Sequence, residues 1–126
     1  MLTLKMTPRI QLGAVILGIV LTQVASAATV TTAWTAGVGT QDDCLALGTE
    51  GVGRAGFRPN VSRDRQTVFG WRGEDSIVVR CIADRDLAVI FIYTRQGRDN
   101  DWLLKTVQDA YRRLPPPPPP PLPPRP

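Results

Sequence analysis

The stretch Thr67–Tyr93, TVFGWRGEDSIVVRCIADRDLAVIFIY, decides the fold. Thr67–Trp71 reads as a strand ending at a turn around Gly73, and Ser76–Ile82 reads as the next. A tight turn at Asp84-Arg85-Asp86 leads into Leu87–Tyr93. Three strands in succession point to an antiparallel-rich sheet. Leu87–Tyr93 is apolar on both faces, which predicts an interior strand or one sandwiched by helices.

Outward from this sheet, Ala28–Gly37 alternates threonine with Val30, Ala33 and Trp34 and predicts a further strand. Thr40 is placed to cap a helix whose first turn, Gln41-Asp42-Asp43, carries the negative charge that the helix dipole favours. Cys44, Leu47, Gly48, Val52 and Ala55 recur at helical spacing, and Gly56 is a stop. Phe57–Gln66, polar and holding Pro59, reads as loop. After Asp99 or Asn100 as a cap, Leu103, Leu104, Val107, Tyr111 and Leu114 form an apolar stripe, opposite Lys105, Gln108, Asp109 and Arg112. The order β-α-β-β-β-α predicts an α+β fold: a mainly antiparallel sheet with two helices packed on one face.

Lys5 and Arg9 precede an apolar and small-residue run from Ile10 to Leu21 that closes on Ala25-Ser26-Ala27. The run is about a dozen residues, short of the roughly twenty a spanning helix needs, and its end fits a signal peptidase. Residues 1–27 therefore read as a cleaved signal peptide, 28–114 as one domain and 115–126 as a proline-rich tail in polyproline II form. The expected location is secreted or periplasmic after cleavage following Ala27, with no stable membrane anchor. Of the formal net charge of +4, Lys5 and Arg9 supply two. The remainder is too slight to argue for nucleic acid, and none is expected as partner.

Export gives the two cysteines, Cys44 and Cys81, an oxidising compartment, where a lone pair outside any CxxC spacing predicts a disulfide. A bridge closing a loop of roughly forty residues constrains the unfolded chain by about 4 kcal/mol in the entropy model. Ile77, Val79 and Cys81 share one strand face, so the bridge to the helix is feasible if that face meets the helices. The residues TQDDCLALGTEGVGRAGF and TVFGWRGEDSIVVRCIA resemble, in general form, small exported bacterial α+β proteins that pair a helix cysteine with a strand cysteine. That resemblance implies a fold and an export route and brings no catalytic residue with it.

The chain contains no histidine. It therefore lacks the commonest general base near neutral pH and the commonest transition-metal ligand, and no cofactor is expected. The carboxylate pairs Asp42/Asp43, Glu74/Asp75 and Asp84/Asp86 each sit where a helix start or turn favours an acid in any case. Gly51-Val52-Gly53-Arg54-Ala55-Gly56 matches a phosphate-binding glycine pattern but ends a helix instead of starting one, so packing or termination explains it better.

Arg54, Arg58, Arg63, Arg65 and Arg72 bracket a single acid, Asp64, and suggest an edge for an anionic envelope polymer or an acidic protein. Trp34 and Trp71 could add flat contact surfaces nearby, although burial is the ordinary role of tryptophan. In the tail, Pro120, Leu122, Pro123 and Arg125 fall in a PxxPxR run that resembles an SH3 ligand. The readers of that run are cytosolic and eukaryotic, so a spacer or a docking peptide for an envelope protein is preferred, on a rod projecting from the domain. The expectation is an exported non-catalytic binding protein of the cell envelope. The alternative is an inhibitor of a secreted hydrolase that presents the Trp71–Asp75 turn.

Overall fold

The computed structural model describes residues 27–115, 117–122 and 124. Five strands, β1 (Thr29–Ala36), β2 (Arg58–Val61), β3 (Thr67–Arg72), β4 (Asp75–Ile82) and β5 (Leu87–Thr94), form one antiparallel sheet in the order β1-β5-β4-β3-β2. Helices α1 (Gln41–Arg54) and α2 (Asn100–Tyr111) pack on one face, α1 against β2, β3 and β4 and α2 against β1 and β5. The fold is α+β, as expected. The predicted signal peptide, Ala27 apart, lies outside the described residues.

One segment departs from the reading. Arg58–Val61, expected as loop, is a four-residue edge strand. Proline is tolerated there because β2 has a neighbour on one side only, and the short run carries no alternation strong enough to announce itself.

Helix α1 begins with a reciprocal cap: the Asp43 N–H donates to Thr40 Oγ1 and the Thr40 N–H donates to Asp43 Oδ2, both at 3.1 Å. Two orphan amides of the first turn are thereby satisfied. Those bonds hold the Asp43 carboxyl below its usual range. Near the other end, a Cβ at Gly51 would lie 3.1 Å from the Val107 Cα and 3.2 Å from its carbonyl oxygen, so the helices touch backbone to backbone there. Gly56 ends the segment at φ +85, a conformation other residues adopt at a cost. Packing thus accounts for Gly51 and termination for Gly56, while Gly53 faces open space.

The Cys44–Cys81 disulfide joins α1 to β4, with Cα atoms 6.0 Å apart. Tyr111, from the last turn of α2, donates its hydroxyl to Cys44 O at 2.9 Å and is buried against both sulfurs. In α2, Asp109 departs from the polar face assigned to it: it is buried, with Lys105 Nζ 3.0 Å from Oδ2 and Arg112 Nη1 3.9 Å from Oδ1. A cation one turn away on either side compensates a carboxylate withdrawn from water. Leu114, expected in the stripe, is exposed.

Two outcomes follow. Replacing both cysteines by alanine should lower stability by about 2–4 kcal/mol in a denaturant titration, with the fold retained. Burial raises the Tyr111 phenol well above its ordinary value. The contribution of the buried phenol to stability is therefore full below about pH 10, the unfolded phenol's range, and should be lost as the pH rises above it. Tyr111→Phe should flatten that alkaline limb.

Candidate functional site

Period two decides which side chains the helices cover. The face carrying Ile77, Val79, Cys81, Ala88, Ile90 and Ile92 lies under α1 and α2. The opposite face has no element over it among the described residues. Its rows follow from the strand register: Val30, Tyr93, Ser76, Trp71 and Arg58 in one, and Thr32, Phe91, Val78, Phe69 and Asn60 in the next. A third row runs Trp34, Val89, Arg80 and Thr67.

Trp34 is 66% exposed, Trp71 56%, Phe91 42% and Tyr93 37%. Taking roughly 150–250 Å² for a whole aromatic side chain, these four rings leave about 400 Å² of surface uncovered, as large as the largest patch on a typical monomer. The expectation of buried tryptophans is corrected: both project from the open face. A shallow apolar cleft lined by Thr32, Ala33, Trp34, Leu87 and Val89 sits at its β1 side. No residue in the three rows is acidic, and Arg58 and Arg80 are its cations. Arg80 donates to Thr67 Oγ1 at 3.3 Å and to Gln66 Oε1.

The five arginines expected as one edge are dispersed. Arg54 donates to Glu50 and to Leu114 O at the end of α1, and Arg65 pairs with Asp42 at 3.0 Å. Arg72 reaches Asp75 and Asp99, both at 3.1 Å, and its guanidinium lies 4.5 Å above the Phe57 ring. Arg63 stands in the β2–β3 turn, and Arg58 alone belongs to the open face. Spacing along the chain places these residues near one another, but alternation and turns aim them in different directions.

Most of the carboxylates are engaged as well, Asp84 and Asp101 having no bond to a neighbour among the described residues. Glu74 pairs with Arg95, and Asp75 also accepts the Arg95 N–H at 3.0 Å. Asp86, with φ +50, accepts the Gly37 and Val38 N–H groups at 3.1 and 2.9 Å and so fastens the β1–α1 loop to the start of β5. A cleft of about 580 Å³ beside the β3–β4 turn is lined in part by Arg72, Glu74, Asp75, Arg95 and Asp99, which pair among themselves, and by Arg98. Among the described residues no cluster of three His, Cys, Asp or Glu side chains could hold a metal, and no helix is long and apolar enough to cross a membrane.

The tail was expected to project, and its first half instead doubles back. Arg113 takes φ +55, and the Leu114 N–H returns to Asp109 O, which reverses the chain at the end of α2. The Trp102 indole N–H donates to Pro118 O at 2.8 Å, and Pro120 and Pro121 reach the cleft beside Asp99 at the start of α2. Leu122 is exposed, and Pro123 and Arg125 lie outside the described residues.

Compared with protein-family models, curated proteins and solved structures, the chain finds no match.

Trp102 is the tail's visible anchor. Trp102→Phe should release the prolines at a cost of about 1 kcal/mol or less to the domain. The check is faster backbone relaxation at the residues flanking Pro118, with the melting temperature nearly unchanged.

Proposed function

We propose that the chain is an exported, non-catalytic binding protein of the cell envelope whose open sheet face holds a protein partner. The observation that carries this reading is the uncovered aromatic face itself. About 400 Å² of ring surface at roughly 25 cal/mol per Å² represents some 10 kcal/mol of transfer free energy left unused by the fold. A face with two arginines and no acid suits a partner that brings apolar side chains and carboxylates of its own.

The export part of the reading rests on the leader and on the disulfide, which belongs to an oxidising compartment. Ala27 and Ala28 are exposed and outside β1, so cleavage between them would leave the strand whole. The non-catalytic part rests on the chemistry available. Most carboxylates are engaged by arginines or amides, both cysteines are bridged, and no imidazole exists.

Inhibition of a secreted hydrolase draws on a specific feature too. The turn after β3 is braced by Arg72 with Asp75 and Asp99 and by Arg95 with Glu74, with Trp71 at its root. A rigid turn beside an exposed tryptophan is what a protease or glycosidase groove would accept.

Capture from native envelope extract separates these readings. Trp71→Ala and Phe91→Ala should each lower retention of the partner by about thirtyfold, as a central aromatic does when truncated. Removal of residues 115–126 should leave retention unchanged. Equal retention by the aromatic variants, with unchanged melting curves, would sink the open face as the binding surface. A captured hydrolase whose turnover is blocked would select the inhibitor reading.

A further inference from the structure

The two edges of the sheet are unalike. Strand β2 is four residues long, begins at Arg58, contains Pro59 and is followed by Arg63, all features that discourage pairing with another chain. Strand β1, TVTTAWTA, runs eight residues in unbroken register with β5 and has no proline, no glycine, no charge and no bulge. The hydrogen bonds from α2 side chains to β1 carbonyls fall at Thr29 and Trp34, each at 3.5 Å. None reaches the carbonyls of Val30 to Ala33 among the described residues.

We propose that this edge is a homotypic interface: a second copy of the chain pairs its β1 antiparallel to the first about a twofold axis through Thr32, joining two five-stranded sheets into one of ten. The side chains select both the occupant and the register. Val30, 64% exposed, and Trp34, 66% exposed, are the two most exposed large hydrophobic residues of the folded domain. They stand two positions either side of Thr32 on the same face. A twofold axis at Thr32 therefore sets each Val30 opposite a Trp34 of the other copy and sets Thr32 opposite Thr32. Aromatic with β-branched and threonine with threonine are favourable cross-strand pairs. Moving the axis to Ala33 would place Trp34 opposite Thr32 and Val30 opposite Ala36, forfeiting both.

The absence of charge matters equally, because any ion near a twofold axis meets its own like. A self-complementary, uncharged edge is the signature of an isologous contact. A foreign strand would need no such symmetry about Thr32. The contact adds main-chain hydrogen bonds at the seam and doubles the aromatic face, so a partner with two epitopes would gain avidity.

The test is sedimentation of the full-length chain, expressed through its own leader and recovered after export. At about 50 µM the wild type should be a dimer. Thr32→Lys and Thr32→Glu should each raise the dimer dissociation constant by about tenfold or more, while an equimolar mixture of the two restores dimer, since opposite charges then face across the axis. Trp34→Thr, which suits a strand, should weaken dimerisation even if the charged variants fold poorly. Trp71→Ala, distant from the seam, should leave the dimer intact while losing the envelope partner, so failure of one proposal is distinguishable from failure of the other. A wild-type monomer at that concentration, a dimer indifferent to Thr32→Lys, a mixture that stays monomeric, or a β1 edge that takes up an unrelated strand peptide instead would overturn it.

Discussion

The Cys44–Cys81 disulfide and the ring of Tyr111 meet at one point, and three elements depend on that junction. The bridge ties α1 to β4, and the phenol of α2 closes over it by bonding Cys44 O. Without it, α1 is a weak helix: its glycines lower its propensity, and its Thr40–Asp43 cap secures only the first turn. Gly51 is nonetheless required, because α2 approaches the α1 backbone there too closely for a side chain. Close packing and low intrinsic helicity are thus the same choice seen twice, and the covalent tie offsets the second consequence of the first.

Two helices cover only one side of this five-stranded sheet, and from this constraint the open face follows. The covered side takes the small and branched residues, including Thr35 and Thr94 where an apolar side chain would have been ordinary. The open side takes the large aromatics. This inversion is hard to attribute to folding: rings on the open face bury less area than they would in the core, and a polar substitution there leaves core packing untouched. Fold stability therefore gives little reason for Trp34, Trp71, Phe91 and Tyr93 to stand where they do.

Much of the fold is legible in the sequence, because it rests on periodicity and local chemistry. The three-run stretch from Thr67 to Tyr93, the Thr40 cap, the Gly56 stop and the pairing of Cys44 with a strand cysteine are all local signals or consequences of alternation. Strand β2, expected as loop, owes its existence to its neighbour β3, a tertiary cause invisible in the four residues Arg58-Pro59-Asn60-Val61. The site was less legible for a related reason. Burial of tryptophan is the ordinary case, and only the count of covering elements reveals that one face has nothing over it. The alternation of threonine with valine and tryptophan in β1 carried the signal, since inward threonines imply outward Val30 and Trp34. The arginine cluster misled because proximity along the chain says nothing of direction when strands alternate and turns reverse.

The open face also explains the contrast between the sheet's two edges. Exposing both a hydrophobic face and an unprotected edge on one small domain invites uncontrolled association, and natural proteins ordinarily blunt the edge with charge, proline or a bulge. Strand β2 is blunted in this way and β1 is not. Random drift does not account for the difference, because the exposed side chains of β1 are complementary under a twofold rotation about Thr32, a property a merely neglected edge would not have. Closure also limits the hazard: an isologous pair uses each free β1 edge once and leaves only the two proline-bearing β2 edges at the ends of the extended sheet. Association that begins at β1 therefore stops at two copies, and the aromatic face remains open on the assembled dimer.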